Sequence, residues 1–177
     1  MFFKLSQQML LNSAFNIPAA GYSLKSLGGK YNFLLIINDS RIAKKRSMPN
    51  ISLINHTFDE KMFNFNKVKP DEIVFSEILD PNMYRSMPLC SDYEVKIIRN
   101  IFPIVDHHYL LVCNPELRLI QKIDVFSLWV AVKLCFEYTK DSTLIGFNSI
   151  SASASVNHQH YHLFAEASFQ LPLMVGN

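Results

Sequence analysis

Nothing in the 177 residues forms an apolar run approaching the about 18 needed to cross a bilayer. An excess of one charge is missing too. Seventeen Lys and Arg stand against fifteen Asp and Glu, a formal net charge of +2, which removes the case for a general polyanion or nucleic-acid binder. Cysteine is scarce: Cys90, Cys113 and Cys135 are odd in number, widely spaced and without a C-x-x-C pair. That pattern argues against a disulfide framework and for a reducing, cytosolic setting. No internal repeat or low-complexity segment is evident. Arginine is absent before Arg41, so the apolar stretch Met1 to Leu11 does not read as a mitochondrial presequence. Ser6, Gln7 and Gln8 interrupt it and no clean cleavage site follows, which also disfavours a signal peptide. An amphipathic helix packed on the body is the expectation there, within an N-terminal extension over residues 1–20. At 49% hydrophobic and 18% charged, the chain as a whole is globular and large enough for one substantial core.

What is present in quantity, and in one place, is histidine. Three of the six lie in Asn157-His158-Gln159-His160-Tyr161-His162, each two residues from the next. On a β-strand that spacing puts three imidazoles on one face, roughly 7 Å apart, with Gln159 and Tyr161 facing the other way. Val156, Leu163 and Phe164 favour a strand. A histidine row without chemistry, a zinc site needing a further ligand from another segment, and nucleophilic catalysis by an imidazole are the three readings. The run Gly146-Phe147-Asn148-Ser149-Ile150-Ser151-Ala152-Ser153-Ala154-Ser155 favours the last. It is small and hydroxyl-rich, so backbone N–H groups and Ser or Asn side chains can approach a phosphate closely.

Elsewhere, Tyr31 to Ile37 reads as a largely buried strand entered through Gly28-Gly29 and ended by Asn38-Asp39-Ser40. Arg41, Lys44, Lys45 and Arg46 form the densest positive patch; it is either a solvated loop or a meeting place for substrate phosphates. Short strands are expected at Ile51 to Ile54, Ile73 to Ile78, Tyr93 to Ile98 and Tyr109 to Cys113. Phe58, Phe63 and Phe65, interleaved with Asn64, Asn66 and Lys67, form either an aromatic patch over the core or a nucleobase slot in which Asn64 reads a base edge. Pro70-Asp71-Glu72 begins a short helix or turn. Pro81 to Cys90 reads as a surface connection. Asp124 is an N-cap for a helix through about Tyr138, with Leu128, Val132 and Cys135 or Phe136 as its core face and Trp129 beside it. Few helices among short strands, without strand–helix alternation, give an α+β fold with an antiparallel sheet and one long packing helix.

The pattern Asn148…Ser155-Val156-Asn157-His158-x-His160-x-His162 resembles the histidine-triad superfamily of nucleotide hydrolases and transferases. More narrowly, four blocks resemble the GDP-hexose phosphorylases, which include GDP-D-glucose phosphorylase and plant GDP-L-galactose phosphorylase. These are Gly29-Lys30-Tyr31-x-Phe33, Asn38-x-x-Arg41-x-x-Lys44-Lys45-Arg46, Phe58-Asp59-x-x-x-Phe63-Asn64-Phe65-x-Lys67-Val68 and Gly146-Phe147-Asn148-Ser149. With the triad they run in family order from about residue 20 to the C-terminus. The resemblance implies a histidine-triad-like nucleotidyltransferase domain over residues 21–177, incomplete in that the phosphorylases continue for roughly another half.

It also implies a chemistry. His160, the middle histidine, attacks the α-phosphorus of a GDP-hexose, expels hexose 1-phosphate and leaves a guanylyl-histidine; inorganic phosphate then releases GDP. His158 and His162 orient it and stabilise charge. Asn148 and Ser155 match positions that contact phosphate, His108 matches the histidine of a Gly-His pair lining the site, and Arg41, Lys45, Arg46 and Asn64 complete the expected substrate contacts. No cofactor or metal is called for, and the expected partners are GDP-hexose and inorganic phosphate, without nucleic acid or membrane; a homo-oligomer stays open, as does a non-catalytic guanine-nucleotide-binding relative. The chain departs from the family at Ser151-Ala152, where relatives carry Gly-Gly, at Gln159 and Tyr161, which replace small apolar residues, at Ile36, which replaces a glutamine, and at His107, which replaces the glycine beside His108.

Overall fold

The computed structural model describes residues 18–19, 21–44, 53, 55–80, 93–137, 143–150 and 152–165. The expectations for Met1 to Leu11, most of Ile51 to Ile54, Pro81 to Cys90, Lys45, Arg46 and Ser151 lie outside them. Strands β1 (Tyr22–Ser26) and β2 (Leu34–Asn38) form a two-stranded antiparallel hairpin. A five-stranded antiparallel sheet has the order β3-β4-β5-β7-β6, with β3 at Ile73–Leu79, β4 at Tyr93–Arg99, β5 at His108–Cys113, β6 at Leu144–Gly146 and β7 at Tyr161–Phe164. A short helix spans Asp39–Lys44 and the long one Val125–Glu137. The α+β class and the antiparallel sheet expected from the sequence are both present. No helix of the described residues is long and apolar enough to cross a membrane.

The period of two along each strand divides the sheet into two differently furnished faces. Tyr93, Val95, Ile97, Tyr109, Leu111, Cys113, Tyr161 and Leu163 point to one side and meet Phe126, Val130, Ala131 and Leu134 of the long helix in the main core. The alternate residues point to the other side, where Ile98 and Val112 join Phe65 and Val156 in a second cluster. His108 and His162 belong to this second face, His108 opposite Phe164 and His162 opposite Leu110 in the β5–β7 register.

Two expectations are corrected. The long helix does start at Asp124, whose Oδ1 accepts the Ser127 N–H at 2.9 Å. Its buried face, however, is not Leu128, Val132 and Phe136, which are 47%, 45% and 80% exposed; Cys135 is exposed as well. The helix is apolar on both sides, and the side carrying small residues won: Ser127 and Ala131 permit close approach, the Ser127 hydroxyl bonds the Tyr161 hydroxyl at 3.0 Å, and Phe126 stacks on Tyr93 with 3.8 Å between ring centroids. Likewise β2 is not largely buried. Phe33, Leu35 and Ile37 are exposed because the hairpin pairs only with itself and, among the described residues, no layer covers that stripe.

What fixes the hairpin is its far end. Asn38 Nδ2 donates to Ile104 O at 2.8 Å, Arg41 Nε to Phe102 O at 3.0 Å, and the Tyr22 hydroxyl to Asp106 Oδ2 at 3.3 Å. The loop between β4 and β5 therefore holds the short helix, and with it Arg41, against the histidine face of the sheet.

Candidate functional site

Only His162 of the three histidines lies within β7; His158 and His160 sit in the irregular segment just before it. The expected single strand is thus shorter than the sequence suggests. The other half of the expectation holds, since Gln159 and Tyr161 face the long helix. Gln159 Nε2 donates to Lys122 O at 2.6 Å and to Asp124 Oδ2, and Tyr161 meets Ser127.

The hydrogen bonds assign each ring a tautomer. His160 Nδ1 lies 2.7 Å from the His158 carbonyl, which can only accept, so Nδ1 carries the proton and Nε2 keeps its lone pair. His160 is 4% exposed, and burial pulls its pKa down to about 4 against the partial support of the His158 carbonyl bond. A neutral imidazole with an unprotonated Nε2 is the nucleophilic form. His158 is differently employed. Its Nδ1 accepts the Phe65 N–H at 3.0 Å, so its Nε2 is the donor to Pro115 O at 3.1 Å. Both nitrogens are spent on backbone, and burial takes its pKa to about 4 as well, despite the Pro115 bond.

His108 and His162 form a relay. Ile104 N–H donates to His108 Nδ1 at 2.9 Å, which leaves the proton on Nε2, and Nε2 lies 2.8 Å from His162 Nδ1. Desolvation first, then His162, Arg41 and His160, holds His108 well below the ordinary histidine range. A neutral His108 therefore donates to His162 Nδ1 and places the His162 proton on Nε2. His107 supports this from the backbone. It adopts φ 54°, in the left-handed region that glycine favours, and its carbonyl accepts the Ala165 N–H at 3.0 Å. A side chain here costs on the order of 1 kcal/mol.

A cavity of about 40 Å³ is lined by Arg41, Phe65, Asn100, Phe102, Leu110, Ser155, Val156, His160 and His162. It has room for a phosphoryl group, but it is far below the about 300 Å³ at which pockets for whole drug-sized ligands begin. Arg41 is half-buried with its Nε on a carbonyl, and that burial lowers its pKa. Four expected residues, Arg41, Ser155, His160 and His162, meet at this cavity, and His108 stands behind it.

Three do not meet it. His158 is turned into the protein as described. Asn64 is 4% exposed and caps the 3-10 turn Phe65–Lys67: its Oδ1 accepts the Asn66 N–H at 3.2 Å and its Nδ2 donates to Met62 O at 3.2 Å. In the fold Asn64 thus serves as the cap of this turn. Asn148 Nδ2 donates to Ala152 O at 2.9 Å and braces the small-residue loop from within. The aromatics of that region pack on the histidines, with Phe58 and Phe65 5.1 and 5.5 Å from the His158 ring and Phe65 5.0 Å from that of His160. Among the described residues no group of three or more His, Cys, Asp or Glu is placed to hold a metal ion.

Two side chains that sequence reasoning passed over complete the site. Asn100, 7% exposed, lies 3.2 Å from His108 Nε2, and Gln121, 1% exposed, bonds the backbone of His160. Their only sequence signal is polarity inside an apolar stretch.

The chain matches the family model described as GDPGP1-like, N-terminal domain, over residues 7–164. It is 30% identical over 168 residues to GDP-L-galactose phosphorylase 2 of Arabidopsis thaliana, a match covering 90% of this chain and 39% of that protein. It is 29% identical over 152 residues to GDP-D-glucose phosphorylase 1 of Bos taurus, covering 84% and 38%, and 29% identical over 136 residues to that of Homo sapiens, covering 77% and 34%. The chain thus spans less than two fifths of the length of these relatives. No solved structure matches it. With all of the main sheet and the histidine segment as far as Phe164 inside the matched residues, the chain belongs to the GDPGP1-like family, through that family's N-terminal domain.

Proposed function

We propose that this chain carries the guanylyl-transfer half-site of a GDP-hexose phosphorylase, with GDP-D-glucose as the substrate and GDP-L-galactose as the alternative. The observation that carries the reading is the tautomer of His160: a buried neutral ring, its proton held on Nδ1 by the His158 carbonyl, its Nε2 lone pair available at a cavity that Arg41, Ser155 and His162 also line. His160 Nε2 attacks the α-phosphorus; the bond from that phosphorus to the bridging oxygen breaks, and hexose 1-phosphate leaves with the electron pair. The guanylyl group is then bonded to His160. An oxygen of inorganic phosphate attacks the same phosphorus, the P–N bond breaks, GDP leaves and His160 returns to its neutral form.

The other residues supply charge and orientation. Arg41 and the Ser155 hydroxyl are suited to the non-bridging oxygens, where developing charge is greatest. His162, with its proton on Nε2, is suited to donate to the departing oxygen. Asn148 acts through the loop it braces, and Lys45 and Arg46, next in sequence after Lys44, add positive charge for the substrate phosphates. The base and hexose sit beyond the cavity, whose volume admits neither. A cytoplasmic setting accompanies the reading, consistent with the free thiols of Cys113 and Cys135.

The test is turnover. Purified protein given GDP-glucose and inorganic phosphate should yield GDP and glucose 1-phosphate, and His160→Ala should abolish the products while retaining the native circular dichroism spectrum. Equal product from the variant would overturn the assignment.

A further inference from the structure

The β6–β7 ladder ends at the pair Gly146 and His162. Two residues further in the same register, Asn148 would face His160. There the carboxamide of Gln121 stands between the two chains. Its Oε1 accepts the His160 N–H at 2.8 Å, and its Nε2 donates to His160 O at 3.0 Å and to Asn148 O at 2.8 Å. Oε1 is used once and both Nε2 protons are used, so the amide substitutes for a missing strand partner.

Gln121 is itself fixed. Its N–H donates to Asn157 Oδ1 at 3.1 Å, and Asn157 Nδ2 donates to His56 O at 3.0 Å. Two residues before Gln121 the chain is also tied down, since Gln159 N–H donates to Leu119 O at 2.9 Å. At 1% exposure, Gln121 has no water to fall back on.

From this we infer that Gln121 is a positioning residue for the nucleophile: a buried amide wedge that sets the backbone at His160 and ties it to the start of the phosphate loop at Asn148. Because all three bonds are to backbone, the wedge orients the imidazole without touching substrate. Because it holds both segments, it fixes the distance between the attacking nitrogen and the loop that cradles the phosphoryl group. Small displacements of this kind are costly in group transfer; misplacement by about 1 Å lowers rates on the order of a hundredfold.

The inference rests on the guanylyl-transfer reading for its kinetic readout. Gln121→Met keeps volume but removes every bond, and Gln121→Glu turns the donating end into an oxygen facing two carbonyls. In single-turnover reactions with GDP-glucose, Gln121→Met should form the guanylyl adduct about a hundredfold more slowly than the unaltered chain, with GDP affinity by calorimetry within about threefold. Gln121→Glu should be slower still. A merely structural residue would lower thermal stability and leave the rate per folded molecule unchanged, and that result would overturn the inference. Hydrogen exchange on the unaltered chain tests the wedge without any variant. The His160 amide should exchange in the slow class of the β5 and β7 amides, and exchange at loop rates would overturn it even if Gln121→Met fails to fold. Absence of any adduct on the unaltered chain would instead reject the proposed function, with the exchange measurement still deciding on the wedge.

Discussion

The His158 carbonyl receives the Nδ1 proton of His160 across 2.7 Å, so one histidine of the row sets the protonation of the next through its backbone rather than its ring. The spacing that looks like three equivalent imidazoles therefore hides a division of labour. His160 faces the cavity, His162 is proton-bearing on Nε2 through His108, and His158 has both ring nitrogens on backbone.

His158→Ala should accordingly be the most destabilising substitution in the row. It strands the buried Phe65 N–H and Pro115 carbonyl and opens space beside Phe58 and Phe65. The cost should be about 2–4 kcal/mol in urea denaturation, clearly more than for His160→Ala, which leaves its backbone bonds to Gln121 intact.

The pH dependence has a definite sign. His158 and His160 are lowered to about 4 when folded, and the unfolded chain binds those protons near 6.5. Folding stability is therefore full above about pH 6.5 and is lost as pH falls from there toward 4, where the folded state must also charge. Denaturation midpoints measured from pH 8 to pH 4 should be flat at the alkaline end and fall below about 6.5. The acid limb of adduct formation should lie near 4, because His160 stays neutral well below the usual histidine range.

How much of this was legible beforehand depends on whether a residue's role is set locally. The alternation of Gln159, His160, Tyr161 and His162 is a local property, and it put Gln159 and Tyr161 on the face away from the histidines, which in the fold is the helix side. The cap at Asp124 is local too. The buried face of the long helix is not. Leu128, Val132 and Phe136 and their opposite side are both apolar, and only the partner sheet, through the Ser127–Tyr161 bond and the Tyr93–Phe126 stack, decides between them. The cap at Asn64 is local as well, since Asn before a tight turn commonly bonds the backbone two residues on. Gln121 was beyond reach, because the two residues its three bonds reach, Asn148 and His160, are 27 and 39 residues away.

The helix assignment yields its own test. Leu134→Ala, in the core, should cost about 2–4 kcal/mol, whereas Phe136→Ser, on the exposed side, should change stability by no more than about 0.5 kcal/mol in the isolated chain. Thermal or urea denaturation of the two variants reports the difference directly.

Arg41→Gln should weaken the substrate rather than the fold. The side chain gives up one bond to the Phe102 carbonyl but carries the positive charge at the cavity. KM for GDP-glucose should rise about tenfold or more, the worth of a charge-assisted contact to phosphate. The ratio to the unaltered chain should shrink as salt is added.

The central claim is that His160 becomes covalently guanylylated. Intact-mass spectrometry of the chain after brief exposure to GDP-glucose, with inorganic phosphate withheld, tests it most directly. The account predicts a mass gain equal to one guanylyl group, localised to His160 by peptide mapping and discharged when phosphate is added. No gain, or a gain on any residue other than His160, would contradict it.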